Sequence, residues 1–168
     1  KASKNIFKNF FPMGESFKFV QKGPGVSSSI EMRGQQFLFL DNRYFRSVGD
    51  DVKIKTHFGK KQNKWILNNV KKFNGVTWLI SGDQFFGGYH SFESFQGNHP
   101  VEFKQFLKNL KNTNKKVLFV SGDRHMSEIM EIPKEHLGYK TYELTSSPIH
   151  SSIYPKSKTQ SENPLAIE

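Results

Sequence analysis

The chain contains no cysteine, which excludes disulfides and thiolate metal sites within it. Any metal would have to be held by His, Asp, Glu, Asn or backbone oxygen. No apolar run approaches the length of a membrane span, and no signal-peptide core follows Lys1-Ala2-Ser3-Lys4. A G-x-S-x-G nucleophile elbow and a GxxxxGK[ST] phosphate loop are both missing, so serine-hydrolase and P-loop chemistry have no support. Apolar residues make up only 35% of the 168 positions, which is low for a globular chain. Acidic residues are also scarce: 15 Asp and Glu stand against 25 Lys and Arg, a formal net charge of +10.

What is present offsets part of this. Seventeen phenylalanines can each bury a large area, enough for the core of one domain of this length. The basic excess is mostly lysine, scattered over helices and turns at Lys60, Lys61, Lys64, Lys71, Lys72, Lys104, Lys108, Lys111, Lys115 and Lys116. Such spacing describes a solvated surface better than a binding stripe. A basic nucleic-acid-binding domain is the alternative. It would need Lys, Arg and aromatics interleaved on one surface. The aromatics here fall mainly on strand and helix faces, which argues against nucleic acid.

Periodicity gives a coarse map. Ile6, Phe7, Phe10 and Phe11 mark a short helix ended by Pro12. Lys22 to Ser29 reads as a Gly/Pro/Ser-rich turn, and Val48 to Lys55 as a polar loop. Strands are expected at 36–40, 76–80, 116–120 and 139–144. Helices are expected over Gln62–Phe73, with Ile66, Val70 and Phe73 on one face, and over Val101–Leu110 after Pro100. Residues 84–99 form a loop rich in aromatics, Gly and His. The tail from Pro155 to Glu168 is expected to be loosely held. Alternating strands and helices are the grammar of an α/β domain. The expectation is one domain over 1–168 with its core at 36–150.

The strongest signal is Val117–Ser127, VLFVSGDRHMS. A buried strand delivers Asp123, Arg124 and His125 at its carboxyl end, where ligands sit in open α/β sheets. Asp and His suit a divalent metal, and Arg suits a phosphate. In an extended segment Asp123 and His125, two apart, would point the same way. The alternative is a strand-end turn with a capping Asp and a surface His. The strand at 76–80 also ends in Ser81-Gly82-Asp83, and that at 36–40 ends at Asp41. Parallel neighbours would put Asp41, Asp83 and Asp123 on a common edge. Asp41 could orient Arg43 toward a phosphoester, or the two could form a structural ion pair. Asp83 could serve as an oxygen ligand, although a turn cap is the simpler reading. His57, His136 and His150 have no partner pattern and read as surface or loop histidines.

Ser121-Gly122-Asp123-Arg124-His125 resembles the last metal-binding motif, S-G-D-x-H, of PhoD-like (alkaline phosphatase D type) calcineurin-like metallophosphatases. Leu40-Asp41-Asn42-Arg43-Tyr44-Phe45-Arg46 is similar to their L-D-x-R-x-x-R. Gly59, Gln62 and Trp65 match a G-x-x-Q-x-x-W. His90, Glu93, Asn98 and Pro100 fall close to H-x-W-E-x-W-x-N-x-P, with Phe92 and Phe95 in place of tryptophans. Glu143-Leu144-Thr145-Ser146-Ser147 matches a strand leading into T-S-S. The ordered set spans about residues 36 to 150.

The resemblance implies a four-layer metallophosphatase β-sandwich flanked by helices, and a metal-dependent phosphoester hydrolase acting on monoesters or diesters. It implies a two-metal site for iron, zinc, manganese or calcium, with His125 and Asp123 as metal ligands. His90, Arg43 and Arg124 are the implied catalytic residues. It also implies an extracytoplasmic location. The family's N-terminal D-x-H, G-D-x-x-x-D and N-H-D/E motifs are missing. The expectation is therefore a middle and C-terminal portion of such a domain, whose partner is its own N-terminal portion and which is inactive alone. A phosphatase-like structural domain without metals is the remaining alternative.

Overall fold

A computed structural model describes residues 2–11, 20–47, 55–147, 152 and 163–167. Its centre is one mixed sheet of seven strands: β1 (Val20–Lys22), β2 (Ser28–Met32), β3 (Gln35–Phe39), β4 (Val76–Ile80), β5 (Val117–Ser121), β6 (Glu128–Ile132) and β7 (Thr141–Thr145). The strand order is β1-β2-β3-β4-β5-β7-β6. The inner strands β3, β4, β5 and β7 are parallel, and β1, β2 and β6 add antiparallel edges. The helices are α1 (Ala2–Phe10), α2 (Gly59–Lys72), α3 (Phe95–Asn98), α4 (Pro100–Lys111) and α5 (Lys134–Leu137). No helix among the described residues is long and apolar enough to cross a membrane.

The four expected strands and the three expected helices form within a few residues of their anticipated bounds. The segment 48–54 and His150 lie outside the described residues. β2 falls partly in the expected turn because its hairpin to β3 is closed by Arg33-Gly34, with φ of 51° and 73°. Two left-handed residues match the twist of adjacent strands, but Arg-Gly is a weaker signal than Asn-Gly. β6 escapes periodicity because its inward face carries Glu128 beside Met130 and Ile132. Of the expected tail, only residues 163–167 are described. Leu165 and Ile167 pair with Glu131 and Ile129 of β6 at 2.9 Å, and Asn163 Nδ2 donates to Glu128 Oε2 at 2.9 Å.

The crossovers β3-α2-β4 and β4-α4-β5 place α2 and α4 side by side on one sheet face. Under them Leu38, Leu79 and Phe119 meet Ile66, Val70, Phe103, Phe106 and Leu110 in a buried core. The helix starts are tied together. Glu102, in the first turn of α4, accepts from the backbone N–H of His57 and of Gly59 and from Asn63 Nδ2. One carboxylate thus caps α2 in place of a local cap. On the other sheet face, Phe37, Trp78, Ile80, Leu118, Val120 and Leu144 are only half-buried, and Phe39 is exposed.

Gln62 joins helix to sheet. Its Nε2 donates to the Asp41 carbonyl and its Oε1 accepts from the Asp41 N–H, both at 2.8 Å. The side chain is fully buried, so no water replaces it. Gln62→Leu orphans a buried donor and a buried acceptor and should cost about 2–4 kcal/mol. Gln62→Glu, which keeps the acceptor but sets a buried carboxyl against the Asp41 carbonyl, should cost at least as much. Urea unfolding of the three proteins checks this, and a Gln62→Leu variant as stable as wild type contradicts it.

Candidate functional site

The registers Phe39↔Ile80 and Ile80↔Val120 bring the carboxyl ends of β3, β4 and β5 to one rim. Pairing continues one step further: Leu40 N–H donates to the Ile80 carbonyl at 2.8 Å, Ser81 to Val120 at 2.9 Å, and Ser146 to Ser121 at 2.9 Å. Asp41, Asp83 and Asp123 therefore share an edge, as their positions after parallel strands predict. Their environments differ sharply. Asp41 and Asp83 are buried, whereas Asp123 is exposed.

Asp41 is a turn former. Its carboxylate accepts from the backbone N–H groups of Val26, Arg43 and Tyr44 at 2.9–3.0 Å. It does not pair with the Arg43 guanidinium, which binds Glu93 instead, with Nη2 to Oε2 at 3.0 Å. The side chain of Asp83 closes on the interior. Oδ1 accepts from Asn42 Nδ2 at 3.0 Å and Ser81 Oγ at 2.9 Å, and lies 3.3 Å from His57 Nε2. Burial pushes its carboxyl up, but His57 and the two hydrogen bonds outweigh that and hold it below the ordinary value. His57 is thus no surface residue. It is fully buried, with the rings of Phe58, Phe95 and His99 at 4.5–5.1 Å. The Phe-rich core around it hides the residue from any pattern search. His136 is half-buried, edge-on to Phe86 at 5.3 Å.

Beyond β5 the chain is not extended. Asp123 and His125 both take left-handed backbone, with φ of 64° and 54°. Non-glycine residues are held there only by surrounding structure, and such positions gather at functional sites. The twist splits the motif. Arg124 turns inward, 5% exposed, while Asp123 is exposed and His125 half-buried. His125 Nδ1 is 2.9 Å from the Ser152 carbonyl, which orients the ring. No three His, Cys, Asp or Glu side chains among the described residues converge to hold a metal ion.

Arg124 has the most unusual surroundings. Its guanidinium lies 4.8 Å over the Phe92 ring. Its Nε and Nη2 are buried without a hydrogen-bond partner, and no carboxylate among the described residues pairs with it. A buried charge in that state is costly.

His90 is close to Arg124 and already committed. Its Nε2 sits 2.8 Å from Gln84 Oε1, and its Nδ1 accepts from Phe92 N–H at 3.1 Å. Gln84 Nε2 donates to Glu128 Oε1 and Thr145 Oγ1, so its oxygen accepts and His90 Nε2 carries the proton. Burial first, and then Arg124, lower the His90 pKa to about 4, so the ring is neutral near pH 7.

A buried carboxylate anchors the loop that carries these groups. Glu143 on β7 accepts from the consecutive N–H groups of Phe85 and Phe86, both at 2.8 Å, and burial pushes its pKa up to about 7. The T-S-S resemblance includes Glu143, but nothing in the spacing shows that it reaches across to residues 85–86.

No protein-family model and no curated protein matches the sequence. A solved structure titled "Structure of PhoD" matches with a TM-score of 0.69 at 17% identity, over 84% of this chain. The chain has the fold of that part of PhoD. It spans about a third of the PhoD chain, 33% of its length. The mixed sheet with flanking helices is thus part of the PhoD fold.

The Glu143 anchor has a pH signature. Its folded-state pKa of about 7 exceeds the ordinary 4.5, so between those values the folded protein keeps a proton that the unfolded chain has lost. The associated stability is full below about pH 4.5 and is lost as pH rises through about 7, a difference on the order of 3 kcal/mol. Relative to Glu143→Gln, wild type should lose that much stability across the window. Urea titrations of both proteins from pH 4.5 to 8 read the difference, and parallel pH profiles would contradict it.

Proposed function

We propose that the intact protein is a metal-dependent phosphoester hydrolase whose site lies at the rim formed by β3, β4 and β5. The observation that carries this reading is Arg124: a buried guanidinium with unpartnered nitrogens, set between two left-handed residues at the end of a parallel strand. The PhoD fold and the ordered motif resemblance agree with it.

Asp123 and His125 supply one oxygen and one nitrogen donor of the kinds a divalent metal takes. Two donors are fewer than such a centre needs, so the remaining ligands come from outside the described residues. When bound, the metal ions supply Lewis-acid stabilisation of the phosphoryl oxygens. Asp123 and His125 would contribute to holding them, with the His125 ring oriented through Nδ1 on the Ser152 carbonyl. Arg124 takes a phosphoryl oxygen, in a buried setting where its charge acts strongly. His90 stays neutral and braces the Phe92 backbone beneath Arg124, so its part in catalysis is to hold the binding group in place. The half-buried face bearing Phe37, Trp78, Leu118 and Val120 is where a second sheet, from the N-terminal portion of the same domain, completes the sandwich. The motif resemblance also supports action outside the cytoplasm.

In the full-length protein, His125→Ala should lose one metal equivalent and at least about a hundredfold in turnover. Arg124→Ala should keep its metal and lose about a hundredfold in kcat/KM. His136→Ala should do neither. Metal analysis and kinetics with p-nitrophenyl phosphate and bis(p-nitrophenyl) phosphate decide this. Unchanged metal content and rate in His125→Ala would remove the assignment. Residues 1–168 alone should hydrolyse both substrates poorly, and robust metal-dependent turnover by that piece would show that its ligands are misplaced.

A further inference from the structure

Arg43 and Arg46 leave β3 three residues apart and converge on one carboxylate. Glu93, from the aromatic loop, meets Arg43 Nη2 at 3.0 Å and Nη1 at 3.3 Å, and Arg46 Nη2 at 2.5 Å. Burial raises the Glu93 carboxyl, but the two guanidiniums outweigh that and hold it below its ordinary value. The match is incomplete. Two guanidiniums carry two charges and about ten N–H donors, against one charge and two oxygens. The surplus is concentrated on Arg46, whose side chain is only 8% exposed and whose Nε and Nη1 are buried without partners. A static structural bridge would ordinarily satisfy the more buried member first. Here the exposed Arg43, at 64%, has both its terminal nitrogens engaged, and the buried Arg46 has one.

We infer that Arg43 and Arg46 form an oxyanion-binding fork that takes a phosphate group, and that Glu93 occupies the fork as an internal carboxylate in its place. A phosphate dianion brings a second charge and a third and fourth oxygen, which are what the fork lacks. The fork lies on the β3 end of the rim, and Glu93 lies on the same loop as His90 and Phe92, which contact the Arg124 neighbourhood. Displacing Glu93 therefore releases the loop at its exposed end while Glu143 and Gln84 keep its base anchored. The purpose of this exchange, admitting a phosphoester to the rim, rests on the reading above. The binding of phosphate does not, and the test separates the two.

Inorganic phosphate is the probe, titrated calorimetrically into the full-length protein at constant ionic strength. Glu93→Gln keeps the shape of the side chain and removes the competing charge, and should bind phosphate at least tenfold more tightly than wild type. Adding Arg43→Ala, a change at an exposed position, should abolish that gain. In wild type the Arg46 Nε–H NMR signal should shift with phosphate and stay still with chloride, an outcome independent of whether Glu93→Gln folds. Equal phosphate affinity in wild type and folded Glu93→Gln, a gain that survives Arg43→Ala, or an unmoved Arg46 signal would each overturn the fork. Phosphate binding without phosphoester turnover would leave the fork standing and defeat the hydrolase reading. Turnover without the phosphate gain would do the reverse.

Discussion

The parallel register of β3, β4 and β5 is the constraint on which the site depends. Because Phe39, Ile80 and Val120 lie side by side, three chain segments leave the sheet at the same level. Each then turns away at once. Asp41 folds the first back through three backbone N–H groups, and Gly82 and Gly122 pass the other two. A Cβ on Gly82 would stand 3.0 Å from the Asn42 amide, and one on Gly122 would stand 3.3 Å from the Gly82 carbonyl. The small residues therefore let three strand ends sit close enough for their following residues to act together. A one-residue slip of any strand would reverse which side chains face the helices and would remove the rim.

Buried polar groups hold what the rim supports. Gln62 pins the end of β3 to α2, Glu102 ties the starts of α2 and α4, and Glu143 and Gln84 hold the aromatic loop. Apart from those of Gln84, which go to the Glu128 and Thr145 side chains, these are hydrogen bonds to otherwise orphaned backbone groups, and each is expensive to lose because water cannot substitute. The loop above them is held differently at its tip, where Glu93 shares its charge between an exposed and a buried arginine. Buried hydrogen bonds thus hold the base of the loop, and a partly exposed ion pair holds its tip.

Much of this was legible in the sequence. Apolar runs ending in Asp gave the inner strands and their common edge, and helical spacing at Ile66, Val70, Phe103 and Phe106 gave the covering layer. The antiparallel edge strands were harder. β2 is closed by an atypical Arg-Gly turn, and β6 carries a buried Glu128 whose partners, Tyr89, Gln84 and Asn163, are distant in sequence. The same reason hid His57 and Glu143. A polar residue in an apolar environment is recognisable only once its long-range partners are known. The motif residues Asp123, Arg124 and His125 were visible as a group, but their division into an exposed Asp123, a half-buried His125 and a buried Arg124 goes with two left-handed residues that no spacing rule predicts.

The proposed hydrolase site puts metal and phosphoester at the loop Gly122–His125. Manganese added to the isotope-labelled full-length protein broadens backbone amide signals around its binding site, and the order of loss maps that site. The account predicts that Asp123, Arg124 and His125 disappear first, with Asn42 and Gly82 across the rim following, and that excess phosphate sharpens the contrast. Broadening that begins at the opposite end of the sheet, around Gly34 and Gly75, or on α5 around His136, would contradict it.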